Sequence, residues 1–203
     1  MSRMGADNDE QRGADTSRRS ARGKLLAAAD ELFYQEGVNT VGIDRVIEQA
    51  GVAKASLYRL FGSKEHLAAA YLRARHEIIA AQLVEAVLQA PDARSRILAV
   101  FATQARRLRS PDYRGCAFAR ASAEPAAGPE VMKAAEDYRD FTLKLLTDLA
   151  VQGGAPDPKT TGMQLQALYH ASALLGTRHR RQLIASTRAA VETLLDSAFG
   201  SPH

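Results

Sequence analysis

An all-α fold is predicted, on two observations. Apolar residues recur at intervals of three and four in segment after segment of the 203-residue chain, the spacing that lines one face of a helix. Glycine and proline fall at the seams, among them Gly37, Gly51, Pro91, Pro111 and Gly153-Gly154, where helices stop and start. With 46% hydrophobic residues, the chain can form one domain, or a small reading head plus a larger core.

Residues 1–16 are rich in Gly, Asp, Asn, Gln and Arg and hold almost no large apolar side chain. Such a segment cannot offset the entropy of ordering, so a disordered arm is expected. From Ser17 to Glu36, Leu25, Ala28, Ala29, Leu32 and Phe33 describe an amphipathic helix that Gly37 ends. Arg18, Arg19, Arg22 and Lys24 stand at its start, where cations oppose the helix macrodipole unless an anion lies nearby. A DNA phosphate would supply that anion; a solubilising basic tail is the other reading.

The stretch from Ile43 to Lys64 reads as two short helices broken by Gly51. Val46, Ile47 and Ala50 share one face of the first, while Asp44, Arg45, Glu48 and Gln49 stay solvated. Gly51 can take the left-handed C-cap conformation without a Cβ penalty, so the second helix leaves at a steep angle, as in a helix-turn-helix. That second helix runs from about Ala53 to Leu60, with Val52, Leu57 and Phe61 inward. Its outer row holds Lys54, Ala55, Ser56, Tyr58 and Arg59: a cation, a methyl, a hydroxyl, a phenol and a guanidinium. These are the groups that meet phosphate oxygens, base edges and thymine methyls.

Through AGVAKASLYRLFGSKEHL at 50–67 the chain resembles the TetR (tetracycline-repressor) family of bacterial regulators, and the likeness extends from about Ser17 to Leu72. The resemblance implies that Lys54, Ala55, Ser56 and Tyr58 approach the major groove and its phosphates, and that Lys64 touches the DNA backbone. Gly42 stands where such proteins usually carry a Thr N-cap and offers no side-chain acceptor. Gly62 replaces a frequent proline. The division expected is an arm at 1–16, a helix-turn-helix domain at 17–62 and a helical domain at 63–200 for ligand binding and dimerisation.

Ser63 can cap the next helix, whose inward row is Leu67, Tyr71, Ala74, Ile78, Leu83 and Val87, up to Pro91. In the resembled family this long helix joins the DNA head to the body, so its tilt carries the signal. Further helices follow: Ile97 to Leu108, Pro129 to Gln152, one opened by Asp157-Pro158, and a last one carrying Val191, Leu194, Leu195, Ala198 and Phe199. The segment 112–129 is less regular and resembles the Gly-Cys stretch that begins the central helix in many of these regulators. Its Cys116 reads as a small core residue or as a redox sensor. Arg178, His179, Arg180 and Arg181 read as a solvated connector rather than a second nucleic-acid patch.

The body is expected to enclose a small apolar or amphipathic molecule near Phe101, Cys116, Phe118, Tyr138, Phe141, Tyr169 and His170, residues equally suited to a plain core. Its last two helices carry apolar rows generous enough for a homodimer face, with Leu175, Val191, Leu194, Leu195 and Phe199 as candidates.

The formal charge of +4, from 27 basic and 23 acidic residues, is too mild for a general polyanion binder, so basic character must be local. One cysteine excludes an intramolecular disulfide, and no Cys/His cluster suggests a metal. No apolar run approaches a membrane span and no signal peptide is seen, which points to the cytoplasm. No cofactor loop and no catalytic constellation are found. Glu65-His66 and His76-Glu77 are adjacent on helices and are expected on the surface. The function expected is sequence-specific binding of a double-stranded DNA operator by a repressor that a small effector releases. The alternative is a ligand-independent architectural or master-regulatory DNA-binding protein; an enzyme is a distant third.

Overall fold

The computed structural model describes the backbone of residues 4–125, 127–175 and 179–200, and the side chains of residues 20–125, 127–175 and 179–200. Among the described residues there are nine helices and no strand, as the all-α reading requires. They are α1 (Met4–Glu36), α2 (Ile43–Ala50), α3 (Lys54–Phe61), α4 (Lys64–Leu88), α5 (Ala93–Arg109), α6 (Ala117–Ser122), α7 (Pro129–Gln152), α8 (Pro158–Leu175) and α9 (Arg180–Phe199). The chain packs into two compact units. Met1–Arg73 and Ala121–Lys133 form the first, and Ala74–Arg120 and Ala134–His203 the second.

In the first unit Leu25, Ala29, Leu32 and Phe33 of α1 are buried, as their spacing demands, together with Val46 of α2, Leu57 of α3 and Leu67, Tyr71 and Leu72 of α4. Phe33 meets the Tyr71 ring edge-on at 5.8 Å. Eight-residue helices have almost no stability alone, whereas each fully buried Leu contributes roughly 1.5–3 kcal/mol. Packing therefore holds α2 and α3 in place. The compact unit that holds this core runs on to Arg73 and takes in the first turns of α4. Of the arm expected over residues 1–16, the backbone from Met4 onward is helical, and no proline interrupts it. The side chains of that arm, with those of Arg18 and Arg19, lie outside the described residues.

In the second unit α9 packs on α5 and α8. The buried set includes Ile97, Val100 and Leu108 of α5, Leu146 and Leu149 of α7, Leu165 and Tyr169 of α8, and Val191 and Leu195 of α9. Two dimer-face candidates are thus corrected: Val191 and Leu195 are fully buried within the chain, since α9 lays that row on its neighbours. Phe199 is half-buried, with its ring over Gly153. Leu175 is 59% exposed and Leu194 half-buried, so both keep surface to offer. On α4 the inward position is Ile79, not Ile78, which is 60% exposed. Leu72, Ile79 and Leu83 follow the 3.6-residue turn, from which Ile78 lies one position off.

Candidate functional site

The motif is built as its residues predict. Gly51 closes α2 at φ 61°, ψ 41°, and its N–H donates to Glu48 O while Val52 N–H donates to Ile47 O at 3.3 Å. A left-handed residue with a Cβ would be strained there. Gly42 is the N-cap of α2 and gives no side-chain bond, as its identity dictates. Ser63 caps α4, its Oγ accepting His66 N–H at 3.1 Å.

Along α3, Leu57 is buried while Lys54, Ala55, Tyr58 and Arg59 are exposed and Ser56 is half-buried. A phenol ring 46% exposed on an otherwise polar face suits a partner surface. Lys54 Nζ is 2.7 Å from Asp44 Oδ1, and that hydrogen bond raises the ammonium pKa. Both side chains are solvated, and such pairs contribute roughly 0–1 kcal/mol, so Lys54 can turn to a phosphate at little cost. At the surface α2 is also joined to α1 by Arg45 Nη2 to Glu36 Oε1 at 2.7 Å and Gln49 Nε2 to Glu31 Oε2 at 2.7 Å. Arg22 lies over the Phe61 ring at 5.4 Å, which ties α1 to the end of α3.

Lys64 differs from the α3 row. It is half-buried, its Nζ lies 3.5 Å from Asn39 O, and burial lowers its pKa against the pull of the Glu124 carboxylate. Glu124 accepts Val38 N–H at 2.8 Å and Asn39 N–H at 2.6 Å in the turn between α1 and α2. Glu65, expected on the surface, is half-buried and accepts Glu130 N–H at 3.0 Å, while Glu130 pairs with Arg73 at 2.7 Å. The segment 121–133 is thereby built into the unit that carries the reading helix.

In the second unit the expected pocket residues are brought together. The Phe118 and Tyr138 rings stack at 3.9 Å, Tyr138 and Tyr169 share a hydroxyl contact of 3.1 Å, and Phe101 meets Tyr169 edge-on at 6.0 Å. His170 packs edge-on against both tyrosines, and its Nε2 lies 3.0 Å from Thr142 Oγ1. That hydroxyl also donates to Arg139 O at 2.9 Å and accepts Gln166 Nε2 at 3.1 Å. Burial and the nearby Arg139 depress the His170 pKa to about 4.

His76, expected on the surface, is half-buried instead, its ring 5.6 Å from Tyr138 and 5.0 Å from Phe141. Cys116, Phe118, Tyr138 and His170 line a cavity of about 190 Å³. Phe101 lines a second, of about 440 Å³, between α5, α8 and α9. Arg180 donates to Ser110 O at 2.9 Å and Tyr113 O at 3.1 Å, a clasp on the turn after α5, and Arg178 lies outside the described residues.

Among the described residues no group of His, Cys, Asp and Glu is placed to hold a metal, and no helix is long and apolar enough to cross a membrane.

A family model described as "Bacterial regulatory proteins, tetR family" matches residues 25–71. The transcriptional activator FasR of Mycolicibacterium smegmatis is 35% identical over 88 residues, which span 43% of this chain and 40% of that one. The transcriptional repressor NemR of Escherichia coli K12 is 31% identical over 136 residues, 66% of this chain and 68% of that one. SCO4454, a TetR-family transcriptional regulator from Streptomyces coelicolor, has a crystal structure that matches at a TM-score of 0.82 and 33% identity, over 90% of this chain and 97% of that one. These relatives are named as regulators of transcription, not as enzymes. A helix-turn-helix with an open outer row, followed by a helical body of matching length and fold, leads to one assignment: the chain belongs to the TetR family of DNA-binding transcriptional regulators.

Proposed function

We propose that the chain is a cytoplasmic repressor that binds a double-stranded operator as a homodimer and leaves it when a small apolar or amphipathic effector occupies the second unit. The observation that carries this reading is the aromatic cluster of Phe101, Phe118, Tyr138, Tyr169 and His170 beside two cavities. A ligand-independent architectural protein would need no such space. The reading of repressor over activator is supported by NemR, a repressor that the match covers to 68%, against 40% for the activator FasR.

DNA contact is assigned to Lys54, Ala55, Ser56, Tyr58 and Arg59 on α3, supported by Arg18, Arg19 and Lys64. The effector prefers a body conformation in which the two reading helices are misplaced for the operator. By linkage, DNA must then weaken effector binding by the same factor. The lever is α4, which continues from Lys64 in the first unit to Leu88 in the second. To test the reading, DNA that the protein pulls down is sequenced to define the operator, and hydrophobic compounds are screened for thermal stabilisation. Operator affinity is then measured with each hit. Hits that bind and leave operator affinity unchanged would remove the effector from the proposal.

A further inference from the structure

Arg107 of the second unit carries a charge that the aromatic cluster does not balance. It lies on α5 and is only partly exposed. Its Nη1 donates to Gln104 Oε1 at 3.3 Å, and its other neighbours are the phenols of Tyr138, Tyr169 and Tyr113. Among the described residues no carboxylate meets it. Burial opposes the guanidinium charge, and the phenols outweigh burial, so its pKa is raised. Yet burial lifts the pKa of Tyr138 and Tyr169 above the ordinary phenol value, so near neutral pH both are uncharged. They offer Arg107 dipoles and no counter-charge. A cation enclosed in this way normally has an anionic partner, because an uncompensated charge in a low-dielectric surrounding is costly.

Arg107 does not itself line the cavity, but its partner Gln104 does, and that cavity has the same sign. Gln104 is buried yet lines the larger cavity, together with Arg106, Arg109 and Arg188. The apolar side of that cavity is Leu98, Phe101 and Leu108. No Asp or Glu lines it, although Arg188 is paired outside it with Glu192 at 2.8 Å. Its volume of about 440 Å³ suits a small organic molecule. The contact between Gln104 and Arg107 is long, and its acceptor is uncharged. A carboxylate in the place of the Gln104 oxygen would bind at about 2.7–2.9 Å as an ion pair.

We propose that the second unit binds an organic anion, a carboxylate on an apolar body, that displaces Gln104 from Arg107 and lays its apolar part against Leu98, Phe101 and Leu108. This deepens the effector reading above and rests on it for any effect on DNA.

The test uses matched pairs on the full chain: decanoate, 4-phenylbutyrate and 1-naphthoate against their primary amides, followed by thermal shift and calorimetry. The acids should stabilise the wild type and the amides should not. Arg107→Met should lose the acid preference by roughly tenfold or more in affinity. It should stay folded with a melting temperature no lower than the wild type, since it removes an uncompensated cation. Gln104→Glu places a carboxylate beside Arg107 from within, so it should melt higher than the wild type and also refuse the acids. Arg107→Lys should keep the preference with weaker affinity.

Equal binding of acids and amides to the wild type, no binding of any probe, or an acid preference that survives in Gln104→Glu would overturn the proposal, whatever becomes of Arg107→Met. Acids that bind through Arg107 without weakening operator binding would leave the anion site standing and remove the effector reading. A neutral compound that releases the operator would do the reverse.

Discussion

The Glu124 carboxylate accepts the backbone N–H of Val38 at 2.8 Å across 86 residues of sequence, and its second oxygen takes Asn39 N–H at 2.6 Å. Bonds to a charged acceptor contribute about 1.5–3 kcal/mol each when buried, and less when exposed as the Asn39 bond is. Glu124→Ala should therefore lower stability by about 2 kcal/mol and speed amide exchange at Val38 and Asn39. Glu124→Gln, which keeps one acceptor oxygen, should lose about half as much. Urea denaturation read alongside hydrogen exchange checks both; wild-type exchange at Val38 in the Ala variant would show that the turn holds itself.

On α3, Lys54 and Tyr58 are exposed and their removal should leave folding within about 0.5 kcal/mol of the wild type. Lys54→Ala should weaken operator binding and reduce the salt slope by about 1, because one phosphate contact is lost. Tyr58→Ala should cost about 1–3 kcal/mol of operator affinity if its phenol reads a base edge. Titrations at several salt concentrations separate the two roles. Unchanged affinity in both variants would move the DNA surface elsewhere.

How much of this was legible depends on how local the signal is. The helix-turn-helix was legible because Gly51, Leu57, Phe61 and the open row from Lys54 to Arg59 lie within a dozen residues and each has a local reason. The grip of Glu124 was not, since its partners are backbone N–H groups far away, and backbone groups leave no mark in a sequence. Arg107 sits in the run Arg106, Arg107, Leu108, Arg109, which reads as a solvated basic turn. Only the packing of α5 distinguishes Arg107, partly buried, from Arg106 and Arg109, which are exposed. A faint cue existed: Arg107 follows Val100 and Gln104, both buried, at spacings of four and three. For Val191 and Leu195 the period was right and the destination wrong, because an apolar row looks the same whether its own chain or a second copy covers it.

His170 should make stability depend on pH. Its folded pKa of about 4 lies below the value of roughly 6.5 expected in the unfolded chain. Between those values the unfolded chain binds a proton that the folded chain does not, so stability falls as pH drops through that window and levels off below it. The ring is partly exposed, and solvent screening reduces the effect to about 2 kcal/mol. His170→Gln should flatten this part of the profile. Urea midpoints at pH 7, 5.5 and 4 measure it, and an unaltered slope in the variant would assign the loss to other groups.

Gly162 of α8 marks a close helix crossing in the second unit. A Cβ there would run into Thr147 Oγ1 and lie 2.9 Å from Thr147 Cα, the latter being backbone of α7 that cannot step aside. Within a helix Gly→Ala ordinarily gains about 1 kcal/mol, and overpacking costs about 1–3 kcal/mol, so the clash decides the sign. Gly162→Ala should destabilise by about 1–2 kcal/mol in urea unfolding. A stabilised variant would mean that α7 and α8 separate readily.

The dimer proposal separates cleanly by burial. Leu175 is 59% exposed at the end of α8 and Leu194 is half-buried on α9, whereas Leu195 is fully buried beside it. A carboxylate at Leu175 or Leu194 meets solvent in the monomer, so Leu175→Glu and Leu194→Glu should leave helicity and melting largely intact while driving the protein toward monomer. Leu195→Glu forces a charge into the core, which costs several kcal/mol, and should unfold the second unit instead of simply dissociating it. Dissociation should weaken binding to a two-half-site operator far more than to a single half-site, because a helix-turn-helix dimer reads sites about one turn apart, roughly 34–36 Å. Sedimentation velocity at micromolar concentration, together with titrations of full and half operators, tests this. A wild type that sediments as a monomer and binds one half-site as well as two would refute the dimer, and a fully dimeric Leu175→Glu with normal operator binding would move its interface away from the end of α8.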